Sequence, residues 1–150
     1  MTTHQLRIET ATTEEILPLR MAVLRDGTPS QDPRYPEDDL DITTHLVARN
    51  VEGVIVGTST WLTRPFPPQP DEPGVQLRGM AVDKTLQSGG IGALLLTAGV
   101  HRARLAGAVN IWARARDSAL AFYQRNGFTV VGEAFMDDAT GMSHHLVVTA

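Results

Sequence analysis

The chain contains no cysteine, which removes a disulfide framework and a thiol nucleophile together. It also has no excess of base. Thirteen Lys and Arg stand against seventeen Asp and Glu, a formal net charge of −4, which argues against a general nucleic-acid binder. No apolar run approaches the roughly 20 residues needed to span a bilayer. The opening stretch, MTTHQLRIETATTEE, has no apolar centre and carries acids early. No secretion signal is read there, and a cytoplasmic location away from membranes is expected. Internal repeats are absent, and the one biased tract is a proline-rich loop. What remains is 150 residues, expected to form one domain over 1–150 with room for a real core.

The most informative stretch runs from Val75 to Arg104. Leu77 to Val82 is an apolar run of strand length, and Asp83 to Ser88 is polar. Gly89-Gly90-Ile91-Gly92 follows, and then Ile91, Leu94, Leu95 and Ala98 recur at helical spacing. A strand, a glycine turn and a helix start together make an anion site. The first four helical N–H groups lack internal partners, and the helix dipole places about half a positive charge there. Glycine removes the side chains that would hold a phosphate away.

Two common phosphate loops are excluded by the residues around Gly92. A P-loop requires Gly-Lys-Ser/Thr, whereas Gly92 is followed by Ala93-Leu94. A dinucleotide fingerprint requires a glycine three positions after Gly92, where Leu95 stands. The pattern present is Gln87-Ser88-Gly89-Gly90-Ile91-Gly92, or Gln-x-x-Gly-x-Gly. It resembles the coenzyme A pyrophosphate loop of the GNAT acyltransferase superfamily. A second stretch, Ala119-Leu120-Ala121-Phe122-Tyr123-Gln124-Arg125-Asn126-Gly127-Phe128, is similar to that superfamily's late Ala-x-x-Phe-Tyr-x-x-x-Gly-Phe motif. It lies 36 residues on, counted from Gln87 to Tyr123, with one strand between. Tyr35-Pro36-Glu37-Asp38, Thr44-His45 and Asp137-Asp138 followed by His144 resemble the ElaA-like branch. In that branch a Pro-His pair follows the acidic turn, and here Ser143 takes the place of proline.

Elsewhere the elements follow from local chemistry. Leu6–Glu9 reads as a strand, and Thr12 or Thr13 as the cap of a helix reaching about Arg25, with Pro18 making its start irregular. Residues 26–41 hold three prolines and read as a loop with a helical turn. Its acids, Glu37, Asp38, Asp39 and Asp41, either face solvent or draw a cationic amine to the acceptor side. Thr44–Arg49 and Val54–Leu62 form a hairpin, with Trp61 in the core or the cleft wall. Five prolines within residues 65–73 exclude helix and central strand, leaving a stiff, exposed connection expected at the rim of the substrate entrance. Val109–Ala113 is the next strand. Asp117 or Ser118 caps a helix over Ala119–Arg125, closed by glycine at Gly127. Phe128–Phe135 and Met142–Val148 complete a second hairpin. The resulting order, βααββ, βαβ and αββ, is an α/β (α+β) arrangement: a mixed sheet of six to seven strands with helices on both faces. The resemblance implies that the parallel strands at 75–82 and 109–113 splay apart and admit coenzyme A.

The function implied is an acyl-CoA-dependent N-acetyltransferase moving an acetyl group from acetyl-CoA to a primary amine in a ternary complex, without a metal. Main-chain groups at Gln87, Ser88, Gly89, Gly90, Ile91 and Gly92 would hold the pyrophosphate. The strand edge at Met80, Ala81 and Val82 would pair with the pantetheine arm and polarise the carbonyl. The resemblance gives Tyr123 the role of general acid toward the departing thiolate. Of the adjacent His144 and His145, strand geometry allows only one to face the cleft, which also excludes a shared metal; His144 is the candidate functional histidine, ahead of His45 and His101. Relatives often pair, and the late hairpin offers a surface for a homodimer. The alternative class is a module that binds coenzyme A without catalysis, against which Tyr123 argues.

Overall fold

The computed structural model describes residues 5–149; residues 1–4, part of the stretch read above for a leader, and Ala150 lie outside the described residues. In chain order the elements are β1 (Arg7–Ala11), α1 (Thr13–Leu24), β2 (Thr43–Arg49), β3 (Ile55–Thr63), β4 (Gly74–Val82), α2 (Ile91–Leu105), β5 (Asn110–Arg116), α3 (Leu120–Arg125), β6 (Thr129–Asp137) and β7 (Met142–Thr149). The seven strands form one mixed sheet in the order β1-β2-β3-β4-β5-β7-β6. Every neighbouring pair is antiparallel except β4 and β5. Among the described residues no helix is long and apolar enough to cross a membrane.

Local signals explain most of the boundaries. Thr12 caps α1 in a full capping box: its hydroxyl accepts from the Glu15 amide while the Glu15 carboxylate accepts from the Thr12 amide. Pro18 sits inside the helix without breaking it, so the expected irregular start does not occur. The helical turn expected in 26–41 is replaced by successive tight turns, in which Asp38, Leu40 and Thr43 amides donate to the Tyr35, Glu37 and Leu40 carbonyls. Three prolines and the internal demands on its acids keep that segment irregular. Neither Asp117 nor Ser118 caps α3 through its side chain; a tight turn over Asp117–Ala119 leads into it. Gly127 does adopt the left-handed conformation past its last turn, at φ +90°.

Alternation along β3 places the helices on opposite faces. A Cβ at Gly57 would lie 2.8 Å from Ile91, and one at Gly99 would lie 1.8 Å from the Trp61 ring, so odd positions of β3 meet α2. Thr60, one step out of phase, accepts a hydrogen bond from Arg20 of α1. Trp61 is therefore core, its indole N–H donating to Ser59 Oγ at 2.8 Å. The proline-rich connection is exposed along most of its length, as expected, but its one aromatic ring turns inward. Phe66 is buried against Trp112, ring centroids 5.9 Å apart, and the Arg64 carbonyl accepts from the Trp112 indole at 2.9 Å. It packs at the closed end of the parallel pair, and none of residues 64–73 lines the cleft described next.

Candidate functional site

β4 and β5 pair only from Gly74 opposite Asn110 to Leu77 opposite Ala113. Beyond that register β4 continues to Val82 and β5 to Arg116 with no pairing between them. The parting is reinforced by a bulge: Arg78 pairs with Thr60 and Ala81 with Thr58, so Gly79 and Met80 oppose Ser59 alone. Gly79 has φ +67°, and Arg20 and Tyr35 approach it closely on the α1 side. The opening is a cleft of about 240 Å³ walled by Leu77, Gly79 and Met80 of β4, Ala115 and Arg116 of β5, and side chains from both faces. The edge of β4 turned toward this opening has no partner strand beyond Leu77, so its amides and carbonyls there can pair with an extended chain.

At the far end of β4, Gln87 donates from Nε2 to the Val82 carbonyl at 3.1 Å and ties the loop back to the strand. Ser88 and Gly90 both have positive φ, 70° and 90°. Gly90 is the N-cap of α2 and supplies no side-chain cap, and the first turn carries no acid. The leading amides of a 15-residue helix are thus left for an external acceptor. Gly92 has a second use: a Cβ there would lie 3.3 Å from the Phe122 ring, so its absence lets α3 close against the start of α2.

Tyr123 is buried on the α2 face, edge-on to Phe122 and Phe128 at 5.3 and 5.4 Å, and it lines the cleft. Burial pushes its phenol well above the ordinary tyrosine range. The side chain therefore stays neutral and keeps its proton for donation.

His144 lies across the sheet from it. Arg116 pairs with His144 and Ala115 with His145, so alternate residues of β5 and β7 separate the two histidines onto opposite faces. His144 is 4 % exposed and lines the cleft, whereas His145 binds Asp117 through Nδ1 at 2.7 Å on the other side. The Nδ1 of His144 is 2.9 Å from the Met142 carbonyl. A carbonyl only accepts, so Nδ1 carries a proton, and in the neutral ring Nε2 holds the lone pair. Nε2 lies 3.8 Å from the Asp137 carboxylate.

His45 is placed elsewhere. Its Nε2 donates to the Asp38 carbonyl at 3.1 Å and its Nδ1 accepts from Thr60 Oγ1 at 2.8 Å. His101 is exposed on α2 and is not part of the cleft.

None of the acids Glu37, Asp38, Asp39 and Asp41 lines the cleft. Asp38 holds Arg20, with oxygen–nitrogen distances of 2.7 and 3.1 Å. Glu37 pairs with Arg78 at 2.8 Å, and Asp39 accepts from Thr13 at 2.6 Å. Asp41 is exposed and does not line the cleft. Instead the loop contributes Tyr35, whose ring lies between the guanidinium groups of Arg20 and Arg78 at 4.0 and 3.9 Å. The side chains missed at the sequence level are the cleft arginines, Arg25, Arg78, Arg114 and Arg116. A signal was present: Ala113-Arg114-Ala115-Arg116 alternates with strand period, which puts both arginines on one face.

A parted parallel pair, an open helix start beside it and a tyrosine in the gap thus meet at one cleft. The match of residues 13–128 to the model of the acetyltransferase (GNAT) family shows that the chain belongs to that family, the acyl-CoA-dependent N-acyltransferases. The chain is 24% identical over 143 residues to the uncharacterized N-acetyltransferase YitI of Bacillus subtilis (strain 168), covering 95% of this chain and 94% of that one. Its fold is also that of Escherichia coli ElaA, with TM-score 0.77, 18% identity, and coverage of 95% and 98% of the two chains. An acyl-CoA N-acyltransferase from Pseudomonas aeruginosa is similar to the same degree, with TM-score 0.77, 20% identity, and coverage of 97% and 99%.

Proposed function

We propose that the protein transfers an acetyl group from acetyl-CoA to a primary amine by direct attack, with both substrates bound at once in a single domain. One observation carries this reading: Tyr123 and His144 line the same cleft from opposite faces of the sheet, where β4 and β5 part. The amides of Gln87, Ser88, Gly89, Gly90, Ile91 and Gly92 would hold the pyrophosphate, and the free edge at Met80, Ala81 and Val82 the pantetheine arm and the carbonyl oxygen. When bound, acetyl-CoA supplies an activated acyl carbon and a thiolate leaving group.

The chain's own groups then manage the protons. His144 Nε2 takes one proton from the acceptor ammonium, whose pKa is near 10.4 when free. The nitrogen lone pair forms the N–C bond as the C–S bond breaks and its electrons leave with sulfur. Tyr123 donates its hydroxyl hydrogen toward that sulfur, and the second amine proton replaces it, leaving neutral amide and thiol. Full transfer from a free phenol to a thiolate is uphill by roughly 2 kcal/mol. Burial raises the phenol further, and the sulfur in the same dry gap is raised with it. Tyr123 therefore works chiefly as a fixed hydrogen-bond donor to developing charge.

Tyr123→Phe tests the assignment. The rings stay packed, so acetyl-CoA affinity by calorimetric titration should hold, while turnover, read as thiol release, should fall by about 10²-fold or more. Turnover within about threefold of wild type would remove the donor role, because a positioned proton donor is worth far more than that.

A further inference from the structure

The α1 face of the cleft carries cations that this chain leaves unmatched. Arg25, Arg114 and Arg116 all line it, and among the described residues none has a carboxylate within ion-pair distance. Their polar partners are main-chain carbonyls. Arg25, which is buried, donates from Nε to Asp32, and Arg116 donates from Nη2 to Leu24 at 2.7 Å. Carbonyls orient a guanidinium without neutralising it. Arg114 is exposed, its guanidinium 5.0 Å over the Phe135 ring. Burial above all, helped by the positive charge of Arg25 and opposed by Tyr35 and Asp137, holds Arg116 below the usual guanidinium range. Against these three stands Asp137, already turned to His144.

Desolvating two like charges beside each other with no carboxylate in ion-pair contact, Asp137 acting on Arg116 only from a distance, is costly. The same arrangement becomes favourable when an oxyanion enters, because a guanidinium fork matches two coplanar oxygens. Arg116 and His144 are directly opposed on β5 and β7, so an anion on Arg116 leaves its carrier within reach of His144 Nε2.

We propose that the acetyl acceptor is an amine that also bears a carboxylate, held by Arg25 and Arg116 with Arg114 at the mouth. This rests on the transferase reading and narrows its substrate to amino acids and related amino carboxylates. Polyamines and other acceptors with only positive charge are disfavoured by the same arginines.

The test uses N-acetyl amino acids, which carry the carboxylate and no reactive amine, with small, acidic and aromatic side chains. They are titrated calorimetrically beside their C-terminal amides and N-acetyl aminoalkylphosphonates, into the full chain with and without coenzyme A. The acid should bind at least about tenfold more tightly than its amide, as expected for charge-assisted hydrogen bonds. Arg116→Gln should abolish that preference, Arg116→Lys should restore part of it, and the exposed Arg114→Gln, which threatens folding least, should weaken it. Acids that bind no better than amides, or not at all, overturn the proposal. So does a preference untouched by both glutamine variants, or phosphonates that bind more tightly than carboxylates. Coenzyme A titrated alone reports separately on the transferase reading: its failure to bind would sink that reading, while the acid–amide comparison would still decide the arginine site.

Discussion

Replacing Asp38 by alanine should destabilise the protein more than any surface change. Arg20 is fully buried, and Asp38 meets it with both oxygens. Arg20 also donates to the Pro33 carbonyl at 2.9 Å and to Thr60 at 2.7 Å, while its Nε has no partner. After Asp38→Ala the guanidinium keeps two neutral acceptors and no counter-charge. Removing one side of a buried ion pair costs about 3–5 kcal/mol. Two surviving acceptors and a loop able to open toward water favour the lower end, about 3 kcal/mol. At roughly 2–4 °C per kcal/mol for a chain of this size, Tm should fall by about 6–12 °C. Urea and thermal unfolding would measure it, with Arg20→Met/Asp38→Leu as control. That double variant removes both charges and should recover most of the loss, since apolar replacement of a buried pair is often neutral. A loss under about 1 kcal/mol for Asp38→Ala, or a double variant no more stable than the single one, would refute the claim that an orphaned charge dominates. Asp38 also accepts from the Tyr35 amide at 2.8 Å, so acceptor KM should rise while acetyl-CoA affinity is kept.

Two further outcomes follow from packing and from titration. Gly99→Ala would place a methyl group inside the Trp61 ring, and such overpacking costs about 1–3 kcal/mol; an unchanged Tm would show that α2 can slide freely on β3. His45 is held neutral by burial, below its ordinary pKa, so below about pH 6.5 the unfolded chain takes up a proton that the folded one refuses. Its contribution is complete above that value and is lost, by up to about 1.4 kcal/mol per pH unit, as pH falls toward the lowered folded value. Urea unfolding at pH 7 and pH 5 should show a shallower loss for His45→Gln than for wild type, and equal slopes would exclude His45 as the source.

Periodicity and glycine placement made the fold legible. The strands, the threonine cap of α1 and the left-handed Gly127 follow from patterns a few residues long, whereas the parted pair was implied only by the family resemblance of the glycine loop and the late motif. The open start of α2 was legible because its features are main-chain: a glycine turn at a helix start implies its own free donors. The site was illegible where charges choose partners across the fold. Nothing near Glu37 or Asp38 in the chain indicates that Arg78 and Arg20 will claim them, and without those claims an acidic loop reads as bait for a cation. The proline-rich connection is exposed as its composition implies, but its place at the cleft entrance failed for a related reason: stiffness predicts where a strand cannot run, not that Phe66 will find Trp112.

The sheet itself divides the chemistry. Because β5 and β7 alternate residue by residue, Ala113, Ala115 and Val147 pack with Tyr123 on the α2 side, and Arg114, Arg116 and His144 stand on the α1 side. The apolar side suits sulfur, whose developing charge meets one neutral donor and little water. The cationic side suits an acceptor that brings its own anion, and repels one that does not. A slip of β7 by one residue against β5 would carry His144 to the α2 face and away from Arg116, and would turn the buried Val147 to the α1 face. Register therefore governs which side chains reach the cleft as well as stability in this fold. The apolar positions that pin it, Ile111, Ala113 and Val147, are each no more than 2 % exposed and hold the register from outside the cleft, which none of them lines.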